Sequence, residues 1–142
     1  MGEFTIDVSH LRPVHTARLK LGVQINPHSA PTLTLIGKHA GRGNTAFLNA
    51  VMKIEGEYST ALTAQHLDDG DEKRAELFAR TVITDWEGPC DNDGKPVPYS
   101  PEKLMMVFSA LIAAKRPDVV AAAFRFFADA DNFTAAAALG KE

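Results

Sequence analysis

The 142-residue chain predicts an α+β fold: an N-terminal β-hairpin packed on a mainly helical body of about four to five helices, with a proline-rich elbow at 85–101. Three observations predict it. Apolar and polar residues alternate over 17–25, with Ala17, Leu19, Leu21, Val23 and Ile25 set against Arg18, Lys20, Gly22 and Gln24. That period of two marks a half-buried strand. From Asn44 onward the apolar spacing changes to three and four, the signature of amphipathic helices. Between two such helical stretches lies 85–102, which holds the only Trp (Trp86), the only Cys (Cys90) and four of the eight prolines (Pro89, Pro96, Pro98, Pro101).

Residues 1–15 alternate weakly (Phe4, Ile6, Val8) and read as a strand or an extended arm. After the strand at 17–25, a turn cluster at 26–31 and a β-prone run at 32–36 complete a hairpin, which needs helices on one face to be stable. Asn44 is a good N-cap for a helix carrying Phe47, Leu48, Val51 and Met52. The pattern is poor over 53–69, where a short helix is expected at 61–67. Asp68, Asp69, Asp71 and Glu72 open the next helix, with Ala75, Phe78, Ala79 and Val82 as its inner stripe.

In the elbow, Asn92-Asp93-Gly94 supplies the positive φ of a tight turn between runs at 86–90 and 95–99. Pro96 and Pro98 lack backbone donors, which restricts the second run to an edge or extended segment. Ser100-Pro101-Glu102 then reads as N-cap, proline at N1 and an acid in the first turn. The structural residues of the elbow are therefore Trp86, Gly88, Gly94, Pro96, Pro98, Ser100 and Pro101. The helix that follows carries Leu104, Met105, Phe108, Leu111 and Ile112 and closes at Lys115-Arg116. Pro117 opens a last helix to about 128, apolar over a wide arc: Val119, Val120, Ala123, Phe124, Phe126 and Phe127. That arc is either a partner surface or two internal faces. The organisation expected is one domain: arm and hairpin at 1–40, helices at 44–84, elbow at 85–101, helical pair at 101–133, and a flexible alanine-rich tail at 134–142.

Composition narrows the function. Apolar residues at 45% and charged residues at 23% are ordinary for a globular chain. A net charge of −3 without any Lys/Arg run argues against nucleic-acid binding. One cysteine makes no internal disulfide and suits a reducing cytoplasm. No apolar stretch approaches a membrane span, and the acidic N-terminus does not read as a signal peptide.

No constellation of reactive residues emerges. The five histidines lack metal-ligand spacing. If Gly94 were the sixth position of a calcium loop, Pro89 and Ser100 would occupy the first and twelfth, and neither offers a carboxylate. The glycines of 37–44 lack the Gly-Lys-Ser/Thr of a phosphate loop. Acids beside Cys90 would raise its pKa rather than activate it. The expectation is a non-enzyme with no catalytic residue, no metal and no cofactor.

Trp86-x-Gly88, then Asp91-x-x-Gly94-x-Pro96-Val97-Pro98-Tyr99-Ser100-Pro101-Glu102 and a Leu-rich helix, resembles the C-terminal half of tail assembly chaperones of long-tailed bacteriophages. The close Phe126-x-x-Asp129-x-x-Asn132-Phe133 is similar to the end of many such proteins, and Gly43-Asn44 opening a helix is a looser echo. The resemblance covers 80–133. It implies a host-cytoplasmic, non-enzymatic protein that binds the tape measure protein during tail morphogenesis, with the major tail protein as a second partner and a homo-oligomer as a further option. It also implies a longer product made by ribosomal frameshifting, for which codons of Leu139-Gly140-Lys141 can spell a slippery run. Phe124, Phe126, Phe127 and Phe133 are the expected partner contacts. The alternative is a small structural virion protein of the neck, tail or capsid, using its N-terminal arm; a phage-encoded binder of a host protein is a third reading.

Overall fold

Strand β1 (Ala17–Leu21) buries Ala17 and Leu21 and turns Arg18 and Lys20 outward, as its alternation requires. The computed structural model describes residues 5–41, 43–58, 67–135 and 137, with the backbone alone described over 54–58 and 67–73. β1 pairs antiparallel with β2 (Leu33–Gly37), Leu19 lying opposite Leu35. The expected strand over 17–25 stops at Leu21. There Val23 N–H donates to Leu21 O (2.7 Å), a kink spanning two residues that ends the regular pairing, though Val23 O still accepts from Leu33 N–H (3.1 Å).

A third strand, β3 (Ile83–Glu87), occupies what reads in sequence as the start of the elbow. It pairs antiparallel with β2, giving the order β1-β2-β3. Its pairing slips between Ile36 and Gly37: Ile36 faces Asp85 but Gly37 faces Ile83, so Thr84 is an extra bulged residue. Ile83 and Trp86 therefore both point inward although three residues apart, and Thr84 and Asp85 both point out. The bulge erases the alternation by which a strand is recognised. The elbow proper begins at Gly88.

Helices α1 (Thr45–Tyr58), α2 (Leu67–Thr81), α3 (Pro101–Ala113) and α4 (Pro117–Ala128) complete the α+β fold, with short 3-10 turns at Ser9–Leu11 and Ala130–Phe133. The helix expected at 61–67 falls, but for Leu67 at the start of α2, outside the described residues. Asn44 caps α1, its Oδ1 accepting from Phe47 N–H (3.1 Å). Its amide also donates to His39 O (3.0 Å) and Thr81 O (2.8 Å), tying the loop before α1 to the end of α2. Ala75, Phe78, Ala79 and Val82 are all buried, as their spacing predicts. α3 starts as expected: Ser100 Oγ accepts from Lys103 N–H (3.2 Å) and Pro101 sits at N1. It buries Leu104, Phe108 and Leu111, while Ile112 stays half exposed.

α4 resolves the question of its wide apolar arc. It packs on β1 and on α3, burying Val119, Val120, Ala123 and Phe127. Phe124 sits against Phe78 (centroids 4.5 Å apart) and edge-on to Phe108 (5.8 Å). Phe127 reaches under β2 at Gly37, where a Cβ would stand 3.1 Å from its ring and 2.7 Å from Val82 O. Much of the apolar arc is thus spent internally. Phe127 is 0% exposed and Phe133 5%, so two of the four expected contact residues are core; Phe124 and Phe126 are half-buried beside them. The burial of one helix by the sheet on one side and by α2 and α3 on the other is a tertiary fact that periodicity does not contain.

Residues 12–14 meet residues 133–135. Val14 N–H donates to Phe133 O (2.8 Å) and Ala135 N–H to Arg12 O (2.9 Å), with Pro13 opposite Thr134. The first residues of the tail are docked rather than free, and Thr134 Oγ1 accepts from Ala137 N–H (3.2 Å) in N-cap fashion.

Candidate partner-binding groove

Beyond its N-cap, α3 presents two faces. Leu104 and Phe108 go into the core, while Met106, Val107, Ala110 and Ala114 line an open groove of about 520 Å³. The opposite wall is built from two loops held to each other. After its kink at Leu21, the hairpin loop brings Val23 and Ile25 to the groove. The elbow brings Pro89, Cys90 and Val97, and Trp86 lines the groove from β3.

Polar pairing fixes the loops. Ser29 is buried, and its Oγ accepts from Cys90 N–H (2.9 Å) and donates to Asn26 Oδ1 (3.0 Å). Asn26 Nδ2 donates to Cys90 O (3.1 Å), and Ala30 N–H to Gly88 O (3.0 Å). Gly88 makes the close approach possible: its φ is +114°, and a Cβ would lie 2.6 Å from Thr32 O. The elbow itself is a small hairpin. Gly94 takes φ +77° and donates to Asp91 O (2.9 Å), and Asp91 Oδ1 accepts from Asp93 N–H (2.8 Å) and Lys95 N–H (3.0 Å). That carboxylate is engaged in holding the turn. Trp86 Nε1–H donates to Val97 O (2.8 Å), and its ring stands edge-on to Tyr99 (5.4 Å). The indole pins the elbow to the sheet, as its place in the sequence suggests.

Tyr99 anchors the other side, its hydroxyl donating to Ala79 O at the end of α2. Burial first, and then the Glu102 carboxylate, push its phenol above the ordinary tyrosine range. Two charged residues line the groove and both are cations: Lys103 and Arg116. Lys103 Nζ bonds the neutral Pro98 O (3.3 Å). Arg116 bonds Asp118 (Nε–Oδ1 3.1 Å), and this pairing holds the Asp118 carboxyl below its usual range. Among the described residues no three His, Cys, Asp or Glu side chains gather as a metal site, and no helix is long and apolar enough to cross a membrane.

Of the residues marked in sequence, Trp86 lines the groove while Gly88, Gly94, Ser100 and Pro101 shape its frame. Pro96 pairs with Cys90 in the elbow hairpin, and Pro98 supplies the carbonyl for Lys103. Phe124, Phe126, Phe127 and Phe133 do not line it. Sequence reasoning missed Met106, Ala110 and Ala114, which lie at helix spacing beside the core stripe of α3. It also missed Asn26 and Ser29, whose signal was their place in the turn cluster.

Fold and groove together define a small α+β domain with an open apolar groove. Over residues 42–139, more than two thirds of its length, the chain matches the YdaY prophage protein family. It belongs to that family, and its phage origin follows. None of the curated proteins and none of the solved structures matches the chain.

Proposed function

We propose that this phage protein is a tail assembly chaperone, a stoichiometric and non-enzymatic binder of the tape measure protein that acts in the host cytoplasm. The observation that carries the reading is the open apolar groove on a frame of pinned loops. A tape measure protein with helical segments exposes apolar stripes until the tail tube encloses them, and an open groove covers one such stripe and can be displaced from it. The family match supports a phage setting, and the stretch that resembles tail chaperones, 80–133, lies inside the matched residues. With Phe127 and Phe133 buried in the core, the contact residues of this groove are Met106, Val107 and Ala110. The major tail protein is the second partner, and a homo-oligomer remains compatible with this role.

The test is co-expression with the tape measure protein of the same prophage, followed by quantitative mass spectrometry of lysate and particles. A chaperone keeps the tape measure protein soluble, is abundant in the lysate and is missing from the particle. Fixed stoichiometry in the particle would overturn the reading. It would favour a structural virion protein, an alternative supported by the exposure of Ile6, Val8 and Leu11 on the N-terminal arm.

A further inference from the structure

We infer that the groove takes an amphipathic helix with carboxylates at both ends of its apolar stripe, an inference that rests on the reading that the partner is a helical segment of another phage protein. Length and wall chemistry point to a helix. From Lys103 to Ala113 the α3 wall runs roughly 15 Å, close to three helical turns, and Arg116 stands just beyond its end. That wall is the side of a helix, whose main-chain groups are already paired, so it offers side-chain packing rather than strand addition. Ala110 and Ala114 let a second backbone approach closely, and Met106, 71% exposed, is a flexible side chain that adapts to what it meets.

Charge sets the ends. The chain carries 18 acids against 15 bases, yet among the described residues no carboxylate lines the groove. Its two charged residues, both cations, stand at opposite ends of the α3 wall. The Lys103 charge meets the neutral Pro98 carbonyl. Arg116 uses Nε and Nη2 on Asp118, which leaves N–H donors of its fork for a second acid. Glu102, next to Lys103, lines the adjoining depression instead, where it pairs with Arg80 (3.3 Å). A helix with acidic ends meets two attractions. One with basic ends meets two repulsions.

The groove carries its own reporters, because the only Cys and the only Trp of the chain both line it. The experiment presents the full chain with two synthetic peptides of about 18 residues, long enough to span both cations. Both carry leucine at i, i+4, i+7 and i+11; one ends in glutamates and the other in lysines. Occupancy is read as slowed alkylation of Cys90 by N-ethylmaleimide and as a shift in Trp86 emission. The acid-ended peptide should protect Cys90 with about tenfold preference over its twin, two exposed ion pairs replacing two repulsions, and the preference should shrink in high salt. Ala110→Glu, at an exposed position, should abolish protection, and the double variant Lys103→Glu/Arg116→Glu should reverse the preference.

Equal protection by both peptides would overturn the charge assignment. No protection by either, while the chain still solubilises the tape measure protein, would overturn the groove and leave the chaperone reading standing. No protection and no solubilisation would sink both. Protection that rises with the chain's own concentration, without peptide, would make a second copy the occupant and overturn the helix assignment.

Discussion

At the scale of the residue, Tyr99 joins α2 to the elbow through its hydrogen bond to Ala79 O, and burial is the main reason its phenol resists ionisation. The folded state keeps the phenolic proton at a pH where the unfolded chain releases it. The stabilisation is therefore complete below roughly pH 10, the unfolded tyrosine value, and is lost as the pH rises towards the higher folded value. Tyr99→Phe should cost about 1 kcal/mol at neutral pH. Urea midpoints of the two proteins should then converge above pH 10, since only the wild type has this ionisation to resist. A parallel pH dependence would mean that Tyr99 is not the group responsible. Phe127 marks the opposite case. A serine there removes a fully buried ring from beneath Gly37, so lost binding in such a variant would report unfolding rather than a missing contact.

At the scale of the element, Asn44 does two separable things: its oxygen caps α1 and its amide bridges to α2. Asn44→Asp keeps the cap but turns a carboxylate towards two carbonyl oxygens. It should lower stability by more than the ~1 kcal/mol typical of losing a cap, whereas Asn44→Ser should stay nearer that figure. Thermal denaturation of both variants checks the order, and equal losses would mean that a carboxylate facing the two carbonyl oxygens adds no penalty. The cap was legible in sequence because capping is local chemistry, as was the start of α3 at Ser100-Pro101 and the turn at Gly94. Strand β3 was not, because the bulge at Thr84 puts Ile83 and Trp86 on one face and breaks the period of two. The groove was half legible. Trp86 and the elbow stood out by composition, but the surplus apolar face was sought on α4, where the aromatics are, and lies on α3, where the residues are small. Large aromatics go to the core because they gain most from burial, and small residues are left to the surface.

At the scale of the whole molecule, the three-stranded sheet and α4 form the body, and the groove sits where α3 faces the two pinned loops. The ties that join the two loops of that wall run between distant parts of the chain: Ser29 to Cys90, Asn26 to Cys90, Ala30 to Gly88. The groove therefore exists only once the hairpin, the elbow and α3 have all assembled. An unfolded or half-folded chain has no such groove, which ties any activity at this site to complete folding.

The pairing of 12–14 with 133–135 has a mechanical consequence. Arg12 bonds Ala135 and Val14 bonds Phe133 in antiparallel sense, so the chain leaves this short ladder in the same direction at both ends. Tension applied between the ends loads the outer bond alone, and the inner bond only after the outer has parted. The ladder opens like a zipper rather than shearing as a unit. In an optical trap pulling on the two ends, an early low-force extension should precede rupture of the sheet and α4, and a single high-force event would contradict this geometry. A partner that tugs on either terminal segment thus meets the weakest seam first, with the body behind it still intact.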